Sequence, residues 1–176
     1  MKNELRIQSI EKRKNIDTVL KSKLIIKKLF EINEYKISHN IICYYPLKYE
    51  ISTLACLDDC SKHWFLPKVN GNNLDICPYY KDKLELGSYN IFEPQTKKLN
   101  SYDNIQMIII PAIAADKKGY RIGYGKGYYD RFLKCLPPNV IKVILVYSDF
   151  LYETVFPNKY DVSSDIIITD KEIFRI

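Results

Sequence analysis

At 176 residues, 47% of them hydrophobic and 27% charged, the chain can bury a core without borrowing disulfides or a metal, and its composition is that of a globular rather than a disordered protein. The net charge of +6, from 27 basic and 21 acidic residues, favours anionic partners without choosing among nucleotides, polycarboxylates and nucleic acid. The longest apolar runs, such as Met107 to Ala115, are too short for a bilayer. The opening MKNELRIQSIEKRK is charged too early for a secretory leader, so a cytoplasmic, soluble, single domain over 1–176 is expected, with a monomer favoured. Cys43, Cys56, Cys60, Cys77 and Cys135 lack zinc-ligand spacing and read as core thiols.

The first element is a helix over 2–14. Lys2, Arg6, Ser9 and Arg13 fall on one face of it, giving a basic stripe that charge patterning alone reads as a solvated surface. Asp17 or Thr18 caps a second helix to about Asn33, with Val19, Ser22, Ile26, Leu29 and Phe30 as its apolar face. Short β-branched or aromatic runs then recur at 40–45, 63–66, 107–110, 140–146 and 165–168, between helical stretches. That alternation predicts a mostly parallel sheet covered on both faces. Ligands of such sheets sit beyond the C-terminal strand ends, so the loops after Tyr45, Leu66, Ile110 and Val146 are the expected functional ones.

GYRIGYGKGYYDRF, residues 119–132, holds four of the chain's six glycines, and from about Lys126 to Leu136 it turns helical in character. Glycines let backbone N–H groups approach an oxyanion, a helix start favours negative charge, and Lys126 and Arg131 add cations. The P-loop and dinucleotide fingerprints both fail, because Tyr120 and Tyr128 stand where each needs a glycine. Asp130 beside a polyphosphate would be repelled unless a divalent cation lay between, which points to a metal-bound nucleotide. The other reading is a tight turn in which Asp130 complements the helix dipole.

These residues resemble the 5-formyltetrahydrofolate cyclo-ligase family, whose signature stands here as GYRIGYGKGYYDRFL. KNELR, YYPLKYEIST, LPKV, YNIFEP, IIIPAIAAD and YDVSSDIIIT follow the family's order along almost the whole chain. The resemblance implies a three-layer α/β/α sandwich with a mostly parallel central sheet. It also implies conversion of 5-formyltetrahydrofolate to 5,10-methenyltetrahydrofolate with ATP and Mg²⁺, releasing ADP and phosphate. Carried onto this sequence, it assigns ATP contacts to Lys2, Arg6, Arg121, Gly123, Gly125, Lys126, Gly127, Tyr128 and Tyr129, and gives Lys126 and Arg121 catalytic roles. Asp130 and Asp161 match the magnesium ligands, and Tyr45, Glu50, Tyr89, Tyr124 and Tyr128 stand on the folate side.

PAIAAD departs from the family's more usual PGLAFD, and Tyr160 replaces a common His. The ATP side therefore matches the family more fully than the folate side. Two other readings remain: a tyrosine-rich RNA-binding module, without an RNP-type strand motif, and a phosphosugar or other nucleotide-using enzyme on the same fold.

Overall fold

The computed structural model describes residues 1–87 and 90–176. Helix α1 (Lys2–Arg13) carries Glu4 in its first turn and Lys12 and Arg13 in its last, complementing its dipole. Its basic stripe faces inward, not to solvent: Ser9 and Arg13 are buried. Asp17 caps α2 (Thr18–Glu31), accepting the Leu20 N–H at 2.9 Å. The buried face of α2 is Ser22, Ile25, Ile26 and Leu29, whereas Val19, expected inside, is 66% exposed. A further helix, α3 (Asn33–Ile37), follows the break at Ile32.

The strands β1 (Asn40–Ile42), β2 (His63–Asn70), β6 (Met107–Pro111), β9 (Ile141–Leu145) and β11 (Ile166–Ile168) correspond to the five expected runs. Between them lie α4 (Leu54–Leu57), β3 (Asn73–Pro78), β4 (Leu84–Leu86), β5 (Phe92–Pro94), β7 (Ala114–Asp116), β8 (Arg121–Ile122), α5 (Tyr128–Leu133) and β10 (Leu151–Tyr152), with β12 (Ile173–Arg175) last. Among the described residues, a seven-stranded sheet runs β12-β11-β9-β6-β1-β2-β3. Its interior pairs are parallel, and the edge hairpins β2–β3 and β11–β12 are antiparallel. The fold is thus the expected α/β sandwich around a mostly parallel sheet, with two antiparallel edges that strand patterning did not reveal.

Central β6 explains its own sequence. Flanked by β1 and β9, it presents apolar side chains to both faces, and Met107 to Ile110 are all at 0% exposure. Burying each such side chain stabilises the fold by about 1.5–3 kcal/mol. The expected core thiols hold for Cys43, after β1, Cys56, in α4, and Cys77, in β3, but Cys60 and Cys135 are exposed, in the turns that follow α4 and α5. Among the described residues no helix is long and apolar enough to cross a membrane.

Gly119 fixes the approach to the glycine-rich segment. It has φ +88°, and a Cβ there would lie 2.7 Å from the Ser164 carbonyl oxygen. Ser164 in turn donates its N–H to Gly119 O at 2.9 Å, so the 161–164 loop docks on the β7–β8 hairpin. This contact sets where Asp161 stands.

Candidate active site

A cavity of about 800 Å³ opens beyond the C-terminal ends of the parallel strands. Its wall takes residues from the segment after β1, from β2, from the glycine-rich segment before α5 and from the loop after β10. Every sequence-expected site residue lines it except Tyr89, which lies outside the described residues.

The glycine segment is shaped by two left-handed positions. Gly125 has φ +94° and Gly127, the N-cap of α5, has φ +67°, conformations that disfavour any side chain. At Gly125 a Cβ would also press within 3.4 Å of Arg6 Cζ. α5 spans only Tyr128–Leu133, shorter than the 126–136 expected, because Lys134 caps the helix and a turn follows. Six residues make a weak dipole, so attraction for an anion falls to side chains. Lys2, Arg6, Arg121, Lys126, Arg131 and Lys134 line the cavity against four carboxylates, Glu50, Glu93, Asp130 and Asp161.

Helix α1 is stapled onto this segment from above. Arg6 Nε donates to Gly123 O at 2.8 Å, and Lys2 Nζ meets Asp161 Oδ2 at 2.6 Å. Asp161 Oδ2 also accepts the Asn158 N–H at 2.7 Å. Arg121, 5% exposed, donates to Asp130 Oδ1 at 2.9 Å and to Val162 O at 3.1 Å. Asp130 Oδ1 accepts the Val162 N–H as well, at 3.2 Å. Both acids expected to face a metal are therefore held through one oxygen by a cation and a backbone N–H. Lys126 is exposed at the mouth, and among the described residues no carboxylate forms an ion pair with it.

Glu50 is half-buried. Its Oε2 accepts the Leu47 N–H at 2.9 Å, and the Tyr124 hydroxyl donates to the same carboxylate. Burial raises the Glu50 pKa, opposed by those two bonds and by the charge of Arg13. The Tyr124 ring is half exposed while its hydroxyl end is turned in toward Glu50; burial first, then that negative charge, raises its pKa too. Tyr129 is shifted the same way for the same two reasons. Tyr45 packs on Phe92 with ring centroids 5.1 Å apart, closing the cavity between the segment after β1 and β5.

A carboxyl whose folded pKa is raised adds stability fully below its unfolded pKa, and that contribution is lost as pH rises through the folded value. Glu50→Gln removes the effect. Its melting temperature relative to the unsubstituted protein is therefore expected to become more favourable from pH 4.5 to pH 7.5. A difference that stays flat with pH contradicts this account of Glu50.

Arg13 is the principal residue that sequence reasoning placed wrongly. Only 3% exposed, it lies over the rings of Tyr147 and Phe150, 5.5 and 5.4 Å from their centroids, and donates to the carbonyls of Ala112 and Ile113. It thus holds the loop after β6 where PAIAAD departs from the family pattern, and no carboxylate among the described residues pairs with it. Arg131 is expected from the sequence to be an anion-binding cation, and it lines the cavity. It also clamps α5 to the β2–β3 turn, with Nε donating to Asn72 O at 3.0 Å. Asn158 carried no sequence signal, and Phe92 stood out only as part of YNIFEP.

Comparison with known proteins agrees along the chain. The profile of the 5-formyltetrahydrofolate cyclo-ligase family matches residues 1–170. A 5-formyltetrahydrofolate cyclo-ligase of Mycoplasma genitalium is 30% identical over 95% of this chain and 96% of its own length. The enzyme of the same name from Mycoplasma pneumoniae is 28% identical, over 97% and 99%. Among solved structures, a 5,10-methenyltetrahydrofolate synthetase of Aquifex aeolicus superposes with a TM-score of 0.87 at 31% identity, covering 99% of this chain and 92% of that one. The 5,10-methenyltetrahydrofolate synthetase of Mycoplasma pneumoniae gives 0.77 at 25% identity, over 96% and 98%.

Proposed function

The chain belongs to the 5-formyltetrahydrofolate cyclo-ligase family, and from that premise we propose that it closes 5-formyltetrahydrofolate to 5,10-methenyltetrahydrofolate at the expense of ATP, with Mg²⁺, in the cytoplasm. The observation that carries this reading is one cavity with two unlike walls. A glycine segment under six cations suits a polyphosphate, and a carboxylate among aromatic rings suits a flat ring bearing N–H donors.

A formamide carbon on N5 is a poor electrophile. In the proposed reaction the formyl oxygen attacks the γ-phosphorus, the bond to the β-phosphate oxygen breaks and ADP leaves. The N10 lone pair then adds to the activated carbon, N10 releases its proton, and the C–O bond breaks to expel phosphate. No group of the protein needs to become covalently attached, so its work is positioning and charge neutralisation.

Lys2, Arg6 and the backbone of Gly123, Gly125, Gly127, Tyr128 and Tyr129 would hold the nucleotide. Arg121, itself buried, would act through Asp130, while the exposed Lys126 ammonium is free to follow the phosphoryl group. Tyr45, Glu50, Tyr124 and Tyr128, with Tyr89, would hold the folate.

The donor set fits a magnesium ion. Mg²⁺ takes one or two carboxylates and completes its shell with water and phosphate oxygens. Asp130 and Asp161 offer that number, and each makes its ion pair through one oxygen only. When bound, the ion would neutralise polyphosphate charge beside those carboxylates. Lys2 would exchange Asp161 for a phosphate oxygen as the nucleotide enters.

Thermal melting tests the pairing of ligands. Mg-ATP and 5-formyltetrahydrofolate should each stabilise the protein, by about 2.7 kcal/mol at a hundredfold excess over Kd. Stabilisation by a sugar phosphate, with none by the reduced folate, would overturn the reading.

A further inference from the structure

Glu93 is a charged group that the reaction above leaves unused. It lies in β5, lines the cavity and is only 5% exposed. Among the described residues no Lys, Arg or His pairs with it. One of its oxygens has a structural duty. β1 ends at Ile42 opposite Phe65, so β2 runs on past its parallel partner, and there Glu93 Oε1 accepts the Val69 N–H at 3.1 Å. The other oxygen, Oε2, has no hydrogen-bond partner among the described residues. It packs against Gly87, where a Cβ would come within 2.2 Å of it, so the glycine leaves the space that this oxygen occupies.

A carboxylate sunk in a wall with Pro67, Val69, Leu74 and Phe92, without a counter-cation, is costly unless N–H donors reach it. The ligand proposed above has such donors on its reduced pterin ring and bridge. The Tyr45–Phe92 ring contact ties the segment that carries Glu50 to the strand that carries Glu93, and both acids line the same cavity as those rings. A cavity with two acids and aromatic rings suits a flat heterocycle with N–H donors on more than one edge.

We propose that Glu93 is a second substrate-binding carboxylate, accepting an N–H of the reduced folate through Oε2 while Oε1 stays on Val69. This rests on the function proposed above. It makes Glu93 a determinant of substrate affinity rather than of phosphoryl transfer, since Glu93 forms no ion pair with the cations among the described residues.

Glu93→Gln tests it, because the amide oxygen can keep the Val69 N–H while the charge and one acceptor are lost. The KM for 5-formyltetrahydrofolate is expected to rise about 10- to 100-fold, the range of a lost charge-assisted hydrogen bond. The KM for Mg-ATP should stay put. A folded variant with an unchanged folate KM overturns the proposal, as does an equal loss for both substrates. Should Glu93→Gln not fold, Gly87→Ala decides by the same readout. Its added methyl displaces Oε2 without altering charge, so a selective rise in folate KM supports the proposal and a normal KM overturns it. Unsubstituted protein that forms no methenyl product overturns the function and this inference together; competent protein whose variant binds folate normally overturns the inference alone.

Discussion

Lys126→Ala is expected to lower kcat by about 10²- to 10³-fold, the scale for removing one donor aimed at charge that develops in a transition state. The side chain is exposed at the mouth of the cavity, so its loss should leave the melting temperature nearly unchanged. The folate KM should move little, because Lys126 is proposed to serve the phosphoryl group and not the folate. Single-turnover rates alongside melting curves check both points. Full turnover in a folded Lys126→Ala protein would remove this residue from the mechanism.

Asp130→Asn should have the second largest effect, with a different signature. The amide oxygen can still accept from Arg121 and from the Val162 N–H, so the buried guanidinium keeps its hydrogen bond. What goes is the charge. Half-maximal activity should then need at least about tenfold more Mg²⁺, since even groups that only support a metal ligand are worth about 10- to 100-fold in affinity. Some destabilisation should accompany it, because Arg121 is only 5% exposed and loses its counter-charge. Titrating rate against Mg²⁺ at saturating ATP measures the shift. An unmoved midpoint would take Asp130 out of metal binding and leave it as the partner of Arg121.

The parts of this protein that were legible in its sequence are those where local backbone demands a particular residue. Gly125 and Gly127 announce themselves because their positive φ leaves few alternatives, and β6 because a strand buried on both faces must be apolar throughout. Arg13 was illegible for the opposite reason. Its spacing with Lys2, Arg6 and Ser9 defines a helix face but not which way the face turns, and only tertiary contact with Tyr147, Phe150 and the Ala112 carbonyl turns it inward. Val19 failed likewise, since the buried arc of α2 centres on Ile25 and Ile26 rather than on the first turn. Of the two edge hairpins, β2–β3 closes through Gly71 at φ +57°, a turn signal that short-strand patterning passed over. Glu93 sat in plain view within YNIFEP, but nothing local distinguishes a carboxylate that will be buried beside a ligand cavity from one on a solvated strand.

In the proposed reaction the cations beside the glycine segment and the Glu50 side of the cavity serve one conversion. The most direct measurement is the ultraviolet absorbance of 5-formyltetrahydrofolate mixed with the protein and Mg-ATP, against the same mixture without ATP. A rise in the methenyl chromophore is expected only when ATP is present, with one phosphate released for each methenyl product. No rise from folded protein that binds both ligands would contradict it.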